Sequence, residues 1–214
     1  MYVNNVDKEQ RSLSGFFMNI SKIKNHIKRG LTFVYHPFIF MTKGRNNNLI
    51  VGKKIRINTL KYLHVGSSVT ICSDARFLFV DNYGGAEYFP KVSIGNNVFA
   101  AYHLTIMAAA PITIEDNVLI ASDVVITSEN HGLDPESSDT YASTPLVGKP
   151  VFIGEGCWIG EKAIILPGVT LGKKCIVAAG AVVTKPFSSY SMIGGVPARL
   201  IKKYNLSTHK WEKC

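Results

Sequence analysis

The stretch VFIGEGCWIGEKAIILPGVTLGKKCIVAAGAVVTKPFS, residues 151–188, decides the fold. Ile153, Ile159, Ile165, Leu171, Val177 and Val183 place a branched aliphatic side chain at every sixth residue. The fourth residue after each is Cys157, Ala163, Val169, Cys175 and Ala181, small or β-branched, with Phe187 the exception. A period of six is neither the 3.6 of a helix nor the 2 of an ordinary strand. It is a repeat. Each six reads as a short strand and a sharp turn, with its aliphatic side chain inside a triangular prism. Gly, Asn, Asp and Lys crowd the intervening places, where tight turns demand residues that tolerate unusual backbone angles. Three sixes close one coil, and coils stack at the strand spacing of about 4.8 Å, each satisfying the backbone of its neighbours. A sandwich of ordinary strands would show strict alternation and irregular turn spacing instead.

Toward the N-terminus the sixes continue less regularly. They run through Val51, Ile57, Leu63 or Val65, Ile71 and Phe77, then Ile94, Ala100 and Ile106, and after a slip of two at 108–111 through Ile114, Ile120 and Ile126. Two stretches break the phase: 81–91 (DNYGGAEYFPK), punctuated by Gly and Pro, and 127–150 (TSENHGLDPESSDTYASTPLVGKP), which holds no hexad. Both read as loops leaving the prism. A long polar insertion on a rigid scaffold is where function concentrates. The chain is thus all-β: roughly six coils over 51–188 with the loop 127–150 inserted, a helical or capping segment over 1–50, and a C-terminal turn and short basic helix over 189–214. Within the first segment, Phe16, Ile20, Ile23 and Ile27 give residues 14–29 the spacing of an amphipathic helix, with Lys22, Lys24, Lys28 and Arg29 on its polar side. It suits either a cap on the end of the prism or a helix lying on anionic lipid.

At 214 residues and 46% hydrophobic content the chain is a soluble globular protein of one or two domains. The first ten residues carry Asp7 and Glu9 and no apolar run, unlike a secretory signal. The apolar patch 31–41 is too short for a bilayer and is broken at His36-Pro37. A cytoplasmic location is expected, with peripheral contact at the inner face of the membrane through the basic N-terminal segment. The net charge of +9 points to anionic partners such as phosphates, a nucleotide-like cofactor or a membrane surface. No motif supports nucleic acid. Cys72, Cys157, Cys175 and Cys214 show no paired spacing, and Cys157 and Cys175 sit at inward places of their sixes, so buried thiols are expected and no metal.

The ordered set of motifs resembles a known family. Gly148-Lys149-Pro150, Cys157-Trp158-Ile159-Gly160, Leu166-Pro167-Gly168-Val169-Thr170, Ala178-Ala179-Gly180, Val183-Thr184-Lys185-Pro186 and Gly195-Val196-Pro197-Ala198-Arg199, with the His131 loop, are similar to those of the left-handed β-helix O-acetyltransferases acting on maltose, galactosides and polysaccharides. The likeness covers about residues 92–204. It implies a left-handed coil, a homotrimer with its active sites between prisms, and acetyl-coenzyme A as co-substrate. It makes His131 the catalytic residue, and an imidazole titrating near neutrality suits removal of a proton from a sugar hydroxyl. By the same match Gly160, Glu161, Ala178, Ala179, Thr184, Lys185, Arg199 and Lys202 contact the coenzyme, the cations suiting its phosphates. His103, Tyr102 and Trp158 are the residues expected to bind acceptor.

Where the galactoside and maltose enzymes carry Asn and Asp for the sugar, this chain has Ala100-Ala101-Tyr102-His103 and Met107-Ala108-Ala109-Ala110. That departure, with Glu129-Asn130-His131-Gly132, is closer to the branch acting on capsule, exopolysaccharide or O-antigen sugars. A free small sugar, another small acceptor, or a non-catalytic β-helix binding protein are the alternatives. A zinc carbonic anhydrase on the same prism needs three histidines, two of them close in sequence, and His103 and His131 stand isolated. A sugar nucleotidyltransferase needs a separate α/β domain before the prism, for which 50 residues are too few.

Overall fold

The computed structural model describes residues 48–137 and 140–214. The amphipathic stretch 14–29 and the rest of the N-terminal segment lie outside the described residues. Within them the chain is all strand and turn.

Short parallel strands stack into three faces. The first face holds Ile50–Val51, Thr70–Ile71, Phe99–Ala100, Leu119–Ile120, Trp158–Ile159, Ile176–Val177 and Ser191–Gly194. The second holds Arg56–Ile57, Arg76–Phe79, Thr105–Ala108, Val125–Thr127, Ile164–Ile165 and Val182–Val183. The third holds Leu63–Val65, Val92–Ile94, Ile112–Ile114, Val151–Ile153 and Thr170–Leu171, with Phe187 bridging to Leu171. Every strand pairs with its counterpart one coil away, so the period of six becomes a register: Trp158 lies on Ile176, Ile164 on Val182, and Phe152 on Thr170.

The core follows the sequence pattern. Ile153, Ile159, Ile165, Leu171, Val177 and Val183 are all buried, and so are Cys157, Ala163, Val169, Cys175 and Ala181. Two inward side chains per six therefore fill the prism, one at the end of a strand and one just before the next. Full burial of an Ile, Leu or Val contributes about 1.5–3 kcal/mol, and the column repeats it coil after coil. The buried thiols donate to backbone carbonyls, Cys157 to Gly172 at 3.1 Å and Cys175 to Ser188 at 3.2 Å, and the neighbouring Cys175 thiol, with burial behind it, pushes the Cys157 thiol up.

Two edges of the prism turn through left-handed backbone. Lys54, Asp74, His103, Asp123, Lys162 and Gly180 have positive φ along the first edge, where the first face passes to the second, as do Ser68, Asn97, Asn117, Gly156, Lys174 and Tyr190 where the third passes to the first. The positive φ of His103 (61°) is thus the geometry of its edge, shared with Asp74 and Asp123.

The remaining edge, between second and third faces and here the second edge, is irregular. Residues 81–91 are not a structureless loop: Asn82–Tyr83 and Ala86–Glu87 pair as a hairpin through Gly84 and Gly85, both at positive φ. The insertion 127–150 likewise contains an antiparallel pair, Glu129–His131 with Leu146–Gly148.

The expected C-terminal basic helix is corrected. Ser191–Gly194, Arg199–Asn205 and Lys210–Lys213 form an antiparallel meander on the end of the first face. The strand Ser191–Gly194 ends its sheet with unpaired N–H and C=O groups, and the turn at Gly194 and Gly195 sends Arg199–Asn205 back along them. Pairing with that edge outweighs a weak local preference for helix.

Candidate active site

Ser128 sets the base of the insertion. Fully buried, its hydroxyl donates to the Ala110 carbonyl at 2.7 Å and accepts the Ala110 N–H at 3.1 Å. Its own carbonyl accepts from the N–H of Lys149, where the chain returns, at 2.8 Å. The Thr127 hydroxyl, also buried, accepts the Glu129 N–H at 3.2 Å and donates to the Glu129 carbonyl at 3.0 Å. A hairpin held at its root by buried hydrogen bonds is a rigid support for what it carries. His131 stands opposite Leu146 on this ribbon, with its side chain exposed.

The other hairpin of the same edge reaches it. The Tyr83 ring meets the His131 ring edge-on with centroids 5.5 Å apart, and the Tyr83 hydroxyl donates to the Ala142 carbonyl. The Tyr88 hydroxyl accepts the Leu146 N–H at 2.6 Å. A side chain at Gly84 would press on Pro145 N and Ser143 O at 2.9 Å, so a glycine is what lets the two hairpins close together.

Glu129 is the second titratable group here. Its Oε2 is buried with no hydrogen-bond partner among the described residues. Burial pushes its carboxyl above the ordinary carboxylate value, while His131 and Arg76 pull it back.

The expected coenzyme residues fall into three places. Glu161 and Ala179 are exposed on the first edge, stacked so that the Gly180 N–H donates to the Glu161 carbonyl at 2.7 Å. Thr184 and Lys185 are exposed on the second edge, the one that carries His131, with Lys185 Nζ 5.7 Å from the Phe187 ring centre. Arg199 and Lys202 lie on the terminal meander, where Arg199 donates to the Ala198 carbonyl at 3.1 Å and is otherwise exposed. Gly160 does not suit a contact role, because it is buried and its N–H donates to Val177 at 2.8 Å. A side chain there would meet Val177 O at 2.6 Å and Ala179 N at 2.7 Å, so its smallness serves the stacking of coils. Ala178 is half-buried with its N–H donated to Ile193 at 2.8 Å.

The expected acceptor residues stand away from His131 within one chain. Tyr102 and His103 are on the first edge, where His103 Nδ1 and Asp123 Oδ1 are 2.9 Å apart. A strand of the second face separates the edges, and five residues at 3.3 Å each put Asp123 and Ser128 about 16 Å apart. Trp158 points outward from the first face, in register with Leu119 and, one coil further, Phe99, and all three are exposed. Residues missed from sequence include Asp123, which occupies the same place in its six as His103 one coil earlier, and Glu129, two residues before His131 on an alternating strand. Tyr83 gave no signal, since only the pairing of the hairpins brings it near. No group of three His, Cys, Asp or Glu that could hold a metal occurs among the described residues.

Comparison with known proteins follows this architecture. The sequence profile of the hexapeptide repeat of succinyl-transferase matches residues 150–185. The galactoside O-acetyltransferase of Escherichia coli K12 is 36% identical over 56% of this chain and 57% of its own length. The provisionally named lipopolysaccharide biosynthesis O-acetyl transferase WbbJ of the same strain is 37% identical over 64% of this chain and 71% of its own. Among solved structures, a point mutant of the N-acyltransferase AntD of Bacillus cereus, in complex with dTDP and coenzyme A, superposes with a TM-score of 0.63 at 19% identity, covering 83% of this chain and 93% of its own. That last likeness is one of fold. The alignments thus span from just over half to about seven tenths of the two relatives. With its stacked sixes, its parallel three-faced prism and these relatives, the chain belongs to the hexapeptide-repeat acetyltransferase family of left-handed β-helices.

Proposed function

We propose that this chain transfers an acetyl group from acetyl-coenzyme A to a sugar hydroxyl of a lipopolysaccharide, capsule or exopolysaccharide precursor, with His131 as general base. The observation that carries the reading is an exposed imidazole on a hairpin rooted in buried hydrogen bonds, flanked by Tyr83 and Glu129, on the edge that also presents Thr184 and Lys185. In a ternary complex the acceptor hydroxyl donates its proton to His131 as its oxygen attacks the thioester carbonyl. The tetrahedral intermediate collapses, the C–S bond breaks, and the coenzyme thiolate takes the proton back from His131. Coenzyme contacts are Glu161 and Ala179, Thr184 and Lys185, and Arg199 and Lys202, whose cations match phosphates. The polysaccharide class is supported by the WbbJ likeness and by the apolar run 107–110 beside Ser128, where a free sugar would want polar partners.

Association of copies belongs to the same reading. One chain holds His131 on one edge and His103, Tyr102 and Glu161 on another, so a cleft using both needs a second prism laid against the first. The exposed ladder of Phe99, Leu119 and Trp158, each more than 40% exposed, supports burial of the first face against a partner. Three copies close such a ring with identical contacts.

The test is His131→Ala, assayed for acetyl transfer to a polysaccharide-repeat sugar alongside coenzyme A titration and sedimentation. Turnover should fall about a hundredfold to ten-thousandfold, the worth of a positioned base, with coenzyme affinity retained. Near-normal turnover places the base elsewhere, and a fully active monomer rules out the shared cleft.

A further inference from the structure

We infer that Glu129 is the positioning residue for His131, its carboxylate orienting the ring and stabilising the imidazolium that forms when the ring takes the acceptor's proton. The inference deepens the proposed role of His131 and rests on it. Glu129 and His131 are two apart on one strand, and alternation sends both side chains to the same face of the ribbon, with Asn130 on the other. The root of that strand is fixed twice over, by Thr127 on Glu129 and by Ser128 on Ala110 and Lys149, so the two side chains keep their relation. Glu129 Oε2 is out of solvent and lacks a hydrogen-bond partner among the described residues. Buried carboxylate oxygens are ordinarily satisfied, and an orphan one marks a group held ready for a partner. Burial pushes this carboxyl above the ordinary carboxylate value, and the groups opposing that push are His131 and Arg76, the latter from the second face.

The surroundings leave Glu129 as the anion for this ring. The facing strand Leu146–Gly148 carries no titratable side chain, and Lys149 follows it. From the other hairpin Tyr83 contributes its ring edge, its hydroxyl being engaged with Ala142. Asp134 and Glu136, beyond the ribbon, are exposed. Arg76 favours the ionised form of Glu129 while the ring is neutral, and the imidazolium takes over that role during the reaction. The proton itself moves only from acceptor oxygen to His131 and on to the coenzyme sulfur.

A carboxylate beside an imidazole raises the ring's affinity for a proton, so removing the negative charge lowers it. Glu129→Gln should therefore move the acid limb of the kcat/KM profile about one pH unit lower and reduce kcat about tenfold, the equivalent of one unit, with the coenzyme KM unmoved. Glu129→Asp, which keeps the charge, should retain the position of the limb. The His131 ring is titrated directly by NMR of its carbon-bound protons in wild type and both variants, which needs no turnover. In the His131→Ala background Glu129→Gln should have no further effect. An unshifted His131 titration in folded Glu129→Gln overturns the role of Glu129 while leaving His131 as base. Full activity of His131→Ala overturns the base reading, and the ring titration still reports whether Glu129 sets its proton affinity. If Glu129→Gln fails to fold, the Asp variant decides: a limb displaced downward with the charge kept overturns the inference.

Discussion

The first and second edges of the prism are built from the same repeat and behave oppositely. Along the first, each turn lies on the next: the Asp123 N–H donates to Tyr102 at 2.9 Å, the Lys162 N–H to Ser122 at 3.0 Å, and the Gly180 N–H to Glu161 at 2.7 Å. Along the second, the column opens twice into hairpins, and two tyrosines of the earlier excursion, 83 and 88, reach across to the turn and strand that follow His131. A turn that must stack on its neighbours has its geometry dictated by the scaffold, and its residues change little in role from coil to coil. A turn released from stacking can bring together residues far apart in sequence. Here that is the edge that carries His131, the half-buried Glu129 two residues before it and the Tyr83 ring against it.

Four substitutions sharpen or break this contrast. The largest effect is expected of Arg199→Ala on the terminal meander. If Arg199 makes a charged bond to a coenzyme phosphate, its loss weakens coenzyme A binding by about 1.5–3 kcal/mol. Calorimetric titration of the folded variant reads this, and an unmoved affinity removes Arg199 from the coenzyme surface. Next is a pair of glycines, one on each edge. Gly160→Ala thrusts a methyl group at Val177 O and Ala179 N, both backbone, and should destabilise by about 1–3 kcal/mol as overpacking does. Gly148→Ala on the hairpin meets only the Ala110 side chain at 3.3 Å, with backbone no nearer than 3.7 Å, and should stay within about 0.5 kcal/mol. Equal losses in denaturant midpoint would mean that the two edges are equally constrained. The smallest effect is expected of Tyr83→Phe, which keeps the ring on His131 and deletes the bond to Ala142. One net hydrogen bond is worth about 0.5–1.5 kcal/mol, and hydrogen exchange around residue 142 should quicken while the prism core is unchanged. Unchanged exchange would mean that the Tyr83–Ala142 bond does not hold the two hairpins together.

Much of this was open to reading from the sequence, because a period of six admits one inward set. The residues buried in the column, from Ile153 to Val183 and from Cys157 to Ala181, are those the spacing names, and the two breaks in phase fall where the two hairpins emerge. His131 was legible as a histidine just beyond the point at which the phase stops. Asp123 was legible in principle, since partners one coil apart share a place in the repeat. The terminal meander was not. A run such as Arg199 to Tyr204 carries no decisive local preference, and its strand is set by the open sheet edge of Ser191–Gly194, which exists only once the prism is folded. Nor were the Tyr83–His131 contact or the orphan oxygen of Glu129, because a contact between two insertions depends on their paths through space. Sequence by itself determined the prism, since stacking identical coils leaves each residue one environment. Tertiary structure alone decided which turns depart from it and what they bring together, because backbone freed from the stack is held by non-local contacts.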